Sequence, residues 1–165
     1  MSNSESIIRA GSTPAPGLRI ALSDWAAAAV EASRIRLEVF VREQAVPLEL
    51  ELDRWDPLSV HALATAAGGA VGTARLLPDG HIGRMAVLRA WRRRGAGRAL
   101  LDALLEEAGR AGHREAIVNA QTYVVGFYER AGFTVCSEVF DEAGIPHVEM
   151  RRPLAPAAPP GGPRR

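Results

Sequence analysis

Met85-Ala86-Val87-Leu88-Arg89-Ala90-Trp91-Arg92-Arg93-Arg94-Gly95-Ala96-Gly97-Arg98-Ala99-Leu100 is the stretch on which the fold turns. Met85 to Leu88 is apolar and reads as the end of a strand. A basic, glycine-containing loop follows. Beyond it Leu100, Leu101, Leu104, Leu105 and Ala108 recur at helical spacing, with Asp102, Glu106 and Arg110 on the opposite face. A strand therefore feeds a helix through a loop. The first turn of a helix carries N–H groups with no partner inside the helix, and the helix dipole is positive there, so such an end binds phosphate oxygens. Gly95 and Gly97 let an anion approach the backbone, and Arg92, Arg93, Arg94 and Arg98 add positive charge beside it. On these residues alone three other readings stay open. A dinucleotide-binding fingerprint needs a third glycine where Leu100 stands. A nucleic-acid patch wants aromatic interleaving, of which Trp91 is the sole instance here. A solvated basic loop ahead of an amphipathic helix needs nothing further.

Working outward, Leu18 to Leu22 reads as a strand, and Ser23 or Asp24 can cap a helix running to about Val41, with Val30, Leu37 and Val41 on one face. His61 to Ala67 and Ala70 to Leu77 flank Gly68-Gly69 as a hairpin. The turn Pro78-Asp79-Gly80 leads into a third strand, His81 to Val87, completing an antiparallel meander. After the long helix, ended by Gly112, come a strand (Glu115 to Ala120), a short helix (Tyr123 to Ala131) and a last hairpin, Phe133 to Phe140 with Ile145 to Arg151, around Gly144. The order β-α-(α)-β-β-β-α-β-α-β-β predicts an α/β (α+β) protein. Its sheet is mixed and mostly antiparallel, with one parallel strand pair, and helices flank it. Residues 1–17 read as a flexible N-terminal segment, 18–152 as the folded domain, and 153–165, with five prolines and two glycines, as a disordered tail.

Composition narrows the chemistry. The 165 residues, 47% hydrophobic and 24% charged, suit one globular domain. A net charge of +1 argues against nucleic-acid binding through overall charge. All 20 basic residues are arginine, so a Walker A loop and any lysine base or Schiff base are excluded. The single cysteine, Cys136, excludes an internal disulfide and CxxC metal sites, and no metal is expected; its apolar neighbours Phe133 and Val135 predict a buried strand position. With no apolar leader segment and no run of about 18 apolar residues, the reading is of a cytoplasmic protein that does not cross a membrane.

Arg92-x-x-Gly95-x-Gly97 resembles the Q/R-x-x-G-x-G/A signature of the GNAT N-acetyltransferase superfamily, and Phe127-Tyr128-Glu129-Arg130-Ala131-Gly132-Phe133 resembles its second motif. Val39-Phe40-Val41-Arg42-Glu43-Gln44, Val46-Pro47, Glu51, Asp53, Asp56, His61, Ala120-Gln121 and Gly144-Ile145-Pro146-His147 are similar to the ElaA/YjcF-like branch.

The resemblance implies acetyl-CoA as acyl donor and an unidentified primary amine as acceptor, joined by direct attack in a ternary complex. Backbone N–H groups over Arg93, Arg94, Gly95, Ala96, Gly97 and Arg98, beginning at Arg92, would hold the pyrophosphate. Met85, Ala86 and Val87 would pair with the pantetheine arm and polarise the thioester carbonyl. Gln121 stands where many members carry an asparagine. Tyr128 would protonate the leaving thiolate. For the general base, Glu138 and His147 on the last hairpin and Glu43 after the first helix are the candidates. Glu49, Glu51, Asp53 and Asp56 read either as a solvated face or as an attraction for a cationic acceptor. His81 and His113, at a turn and a helix end, carry no expected role. Members of the family often form homodimers. A coenzyme A sensor that binds without turnover is the alternative function.

Overall fold

The computed structural model describes residues 17–155. The expected flexible and disordered ends therefore lie outside it, except for Gly17 and residues 153–155. Strands β1 (Arg19–Ser23), β2 (Val60–Ala66), β3 (Gly69–Leu76) and β4 (Ile82–Val87) form one antiparallel sheet in that order. β5 (Glu115–Gln121) pairs with β8 (Ile145–Pro153), and the short β6 (Thr134–Val135) and β7 (Phe140–Glu142) both add to β8. Helix α1 (Trp25–Arg36) covers β2 and β3 on one face; α3 (Ala96–Arg110) covers β2, β3 and β4 on the other. Two short helices, α2 (Leu48–Glu51) and α4 (Val125–Arg130), complete the chain.

The expected parallel pair shrinks to one bridge, His81 with Ile117, where Ile117 N–H donates to Gly80 O at 3.1 Å. Beyond it β4 and β5 part. The local cause is a bulge in β4. Arg75 pairs with Gly83 and Thr73 with Ala86, so Arg84 and Met85 together face Ala74. Arg84 adopts φ +47°, a conformation non-glycine residues seldom take. The kink bends β4 away and leaves its outer edge free.

The first helix differs from expectation in two ways. Asp24 does cap it, its Oδ1 accepting from Ala27 N–H at 3.0 Å. The buried face, however, is Ala28, Ala32, Ile35 and Val39, while Val30 is 80% exposed. Alanines let the helix lie close on the sheet, so the larger apolar residue is turned outward. From Leu37 to Glu43 the helix widens into a π turn, in which Gln44 N–H donates to Val39 O at 3.1 Å. That turn carries Phe40, Glu43 and Gln44 toward the gap between β4 and β5.

The core packs Leu100, Leu101 and Leu104 of α3 against the strands. Gly72 is required there: a Cβ would lie 3.0 Å from Leu100 Cδ1 and 3.3 Å from Ala86 O. The last hairpin turns at Ala143 (φ +54°) and Gly144 (φ +78°), the geometry of a tight two-residue hairpin turn. The single strand expected over Phe133 to Phe140 is broken between β6 and β7. Cys136 is exposed there, contrary to its expected burial, because it sits at the sheet's outer margin. Slight desolvation and the Glu149 carboxylate push its thiol up, away from the reactive thiolate form. Cys136→Ala is expected to leave turnover within about twofold in a steady-state assay; an inactive variant would refute this.

A buried ionic network ties the 51–56 segment to the sheet. Arg36, 2% exposed, binds Glu51 through Nε and Asp56 through Nη1 (2.8 Å) and Nη2 (3.1 Å). Arg75 binds Asp53 (2.8 Å) and Asp56 (2.9 Å) through Nη1. Burial alone would raise the Asp53 carboxyl, but hydrogen bonds from Arg75 and the Trp55 N–H outweigh it and hold it at about 2. Asp56 shows the same balance, with Arg36 as the main lowering partner. His61 is buried, its Nε2–H donates to Asp56 O at 2.9 Å, and burial holds it below its ordinary value.

All three groups bind protons more weakly folded than unfolded. Stability is therefore complete above about pH 6.5, declines as His61 of the unfolded chain becomes protonated, and falls further below about pH 4 as the carboxylates of the unfolded chain are protonated and neutralised. Urea midpoints measured from pH 8 down to pH 4 should decrease; a midpoint that rises on acidification would contradict the network's charge state.

Candidate active site

The gap between β4 and β5 is a cleft of about 920 Å³. Its walls are the π turn, the 46–55 segment, β4, the open face of β5, and the β7–β8 hairpin. Met85, Ala86 and Val87 line it along the free edge of β4, as expected for a strand that accepts an added partner. At one end a Cβ on Gly97 would lie 3.6 Å from the ring of Phe127 and 3.9 Å from Val87 Cγ2, which sets the loop–helix junction beside the cleft.

That junction has the form of an anion site. Gly95 (φ +85°) starts α3 with no side-chain cap, so the N–H groups of Ala96, Gly97 and Arg98 have no partner in the helix. Arg93 (φ +62°) precedes it. The four arginines divide. Arg93 and Arg94 are exposed, and Arg94 lies 5.2 Å over the Trp91 ring. Arg98 bonds Asp102 (2.9 Å) and Arg130 O (3.2 Å). Arg92 turns inward, its Nε donating to Val87 O (2.9 Å) and its Nη2 to both oxygens of Glu43 (3.0 and 2.8 Å).

Tyr128 lines the cleft at 8% exposure, with Phe127 and Phe133 edge-on at 5.1 and 5.7 Å. Its hydroxyl makes no hydrogen bond to any described residue, and burial pushes the phenol up to about 12. The group thus keeps its proton throughout the physiological range.

The three candidate bases part company. His147 lines the cleft. Its Nδ1 lies 2.6 Å from Ile145 O, and its Nε2 lies 3.3 Å from Glu142 Oε2. A carbonyl can only accept, so Nδ1 carries hydrogen and Nε2 is the nitrogen that exchanges a proton. Glu43 also lines the cleft, with both oxygens on Arg92. Glu138 is exposed and away from the lining: the register places Phe140, not Glu138, opposite His147.

Gln121 lines the cleft, but its amide is engaged. Its Nε2 donates to Gln44 Oε1 at 3.1 Å, and its Oε1 accepts from the Tyr123 hydroxyl. Of the acidic run, Glu51 and Asp56 are buried on Arg36, the half-buried Asp53 is on Arg75, and Glu49 is exposed and off the cleft lining.

Several lining residues carried no sequence expectation. Glu142 follows from counting back across a two-residue turn at Ala143-Gly144. Asp79 binds His81 Nδ1 at 2.8 Å, a pairing visible in the spacing Asp79-Gly80-His81. Arg84 comes into the cleft through the bulge, for which the sequence offers no signal.

A wedge between diverging strands lies beside an uncapped helix start, a shape that suits an elongated anionic ligand. A family model described as an acetyltransferase (GNAT) domain matches residues 25–154. YjcF of Bacillus subtilis, named as an N-acetyltransferase, is 39% identical over 126 residues, spanning 74% of this chain and 90% of its own. Among solved structures, an acyl-CoA N-acyltransferase from Pseudomonas aeruginosa superposes with a TM-score of 0.74 at 31% identity, covering 82% of this chain and 99% of the other. Escherichia coli ElaA gives 0.73 at 26% identity with the same coverages. The chain belongs to the GNAT acetyltransferase family.

Proposed function

We propose that the protein transfers an acetyl group from acetyl-CoA to a primary amine by direct attack in a ternary complex. The observation that carries this reading is the placement, in one cleft, of the free β4 edge and the protonated, unbonded hydroxyl of Tyr128, with the uncapped start of α3 at its end. The N–H groups over Arg93 to Arg98 hold the pyrophosphate, with Arg93 and Arg94 contributing charge. Met85 to Val87 pair with the pantetheine amides, and a backbone N–H there polarises the thioester carbonyl.

The neutral amine nitrogen attacks the carbonyl carbon, and the C–S bond breaks as the tetrahedral intermediate collapses. The sulfur takes the proton of Tyr128. The thiolate forms in the same desolvated cleft, so its basicity rises with that of the phenol. The proton lost by nitrogen passes to His147 Nε2, and its onward transfer through solvent to the Tyr128 phenolate returns the site to its starting state. Glu142 orients His147; Glu43 orients Arg92; Gln121 braces Gln44 and Tyr123. Glu138, on the solvent side of the hairpin, takes no part.

No helix among the described residues is long and apolar enough to cross a membrane. A cytoplasmic setting completes the reading, since one exposed thiol without a partner suits a reducing compartment. The test pairs binding with turnover. Coenzyme A should raise the thermal midpoint while oligonucleotides of equal concentration should not, and acetyl-CoA with a panel of primary amines should release free thiol. Protection by oligonucleotide and none by coenzyme A would overturn the reading.

A further inference from the structure

The charged groups of the cleft fall into two sets. Each lining carboxylate already has an arginine or histidine beside it among the described residues, the two histidines counting as cationic partners only when protonated. Asp79 is on His81, Glu142 on His147, Glu43 on Arg92, Glu51 on Arg36, and Asp53 on Arg75. All four lining arginines keep an unbonded nitrogen among the described residues, but Arg75 and Arg92 each grip one carboxylate with two hydrogen bonds, whereas Arg84 and Arg89 do not. Arg89 makes no hydrogen bond to a described residue, but it lies past Val87, at the cofactor end. Arg84 lies before Met85, on the acceptor side.

Arg84 is held by one nitrogen only. Its Nη2 makes long contacts to Leu50 O (3.2 Å), Glu51 O (3.3 Å) and Asp53 Oδ2 (3.2 Å). Its Nε is buried without a hydrogen-bond partner, and its Nη1 bonds to no described residue. The β4 bulge and the φ of +47° aim this side chain into the cleft. Strain of this kind persists where the surrounding structure enforces it.

We infer that Arg84 is an acceptor-binding residue whose unbonded Nη1 receives a carboxylate, so that the acceptor is an amino acid and not a simple amine or polyamine. The inference rests on the acyltransferase reading and deepens it. It also meets a requirement of the chemistry. The attacking amine must be neutral, and a cleft with unpaired carboxylates would stabilise the ammonium form instead. Anchoring the acceptor through an anionic group leaves the amine free of such a partner. A guanidinium matches a carboxylate in shape and charge and makes the stronger class of hydrogen bond.

The test uses the full-length protein, acetyl-CoA, and the common amino acids, each compared with its own primary carboxamide. Wild-type kcat/KM is expected to favour the acid over the amide by about 10- to 100-fold for the accepted side chain. In Arg84→Gln that ratio should fall to near one, while KM for acetyl-CoA stays within about twofold. Because Arg84 also ties down residues 50–53, Arg84→Lys serves as the second variant: it keeps the charge and should retain part of the preference. A merely structural Arg84 would lower both rates together and leave the ratio unchanged, which overturns the inference, as would a wild type indifferent to the carboxylate.

Calorimetry with the coenzyme A complex separates the two levels of the reading. The N-acetyl amino acid should bind at least about tenfold more tightly than its carboxamide, and Arg84→Gln should abolish the difference. Absence of turnover with every acceptor would end the acyltransferase reading. Equal or weaker binding of the acid would end the role of Arg84.

Discussion

Tyr128→Phe is expected to lower kcat by about 100-fold or more while KM for acetyl-CoA changes less than about twofold. The hydroxyl makes no hydrogen bond to a described residue, so its removal leaves no buried partner unsatisfied and the fold intact. The ring keeps its edge-on contacts with Phe127 and Phe133. On the proposed mechanism, what disappears is the proton donor for the departing thiolate. An effect confined to the chemical step follows, because the hydroxyl contributes little to holding the cofactor. Small, equal changes in kcat and KM would mean that the thiolate finds its proton elsewhere.

The second large effect concerns stability. Arg36→Met is expected to cost about 3–5 kcal/mol, since it keeps most of the volume but strands Glu51 and Asp56 in the interior. For a chain of this size that lowers the thermal midpoint by about 10 °C. Arg36 also stacks over Trp25 at 5.5 Å, which adds to the loss. The network holds the 51–56 segment, and with it one wall of the acceptor cleft. Sub-saturating assays should therefore show a raised acceptor KM beyond the stability change. A loss below about 1 kcal/mol would mean that Arg75 and Arg84 alone satisfy the carboxylates.

The junction proposed to hold the cofactor is legible in the sequence because it is local. One strand end, two glycines and one helix start lie within Met85 to Leu100, and their geometry follows from backbone physics at that junction. The acceptor end is assembled from distant segments. Arg36 meets Glu51 and Asp56 across 15 and 20 residues, and Arg75 meets Asp53 across 22. A run of acids read in isolation thus looks like surface or like bait for a cation, and its arginine partners are invisible.

The last hairpin shows a signal that was present but not used. With a two-residue turn at Ala143-Gly144, Glu142 must face Ile145 and Phe140 must face His147. Two-residue counting removes Glu138 from His147 without any structure. The bulge that aims Arg84 and the π turn that aims Glu43 and Gln44 have no such signature. Both are departures from regular geometry imposed by tertiary packing, as is the reduction of the parallel pair to one bridge.

The most direct measurement is free-thiol release from acetyl-CoA, followed alongside mass detection of N-acetylated product, across a panel of primary amines and amino acids at pH 7–8. Thiol and product should appear in equal amounts, only when enzyme and an amine are both present, and with no acetylated protein formed on the way. Coenzyme A binding without product from any amine would contradict an enzyme and identify a sensor built on the same cleft.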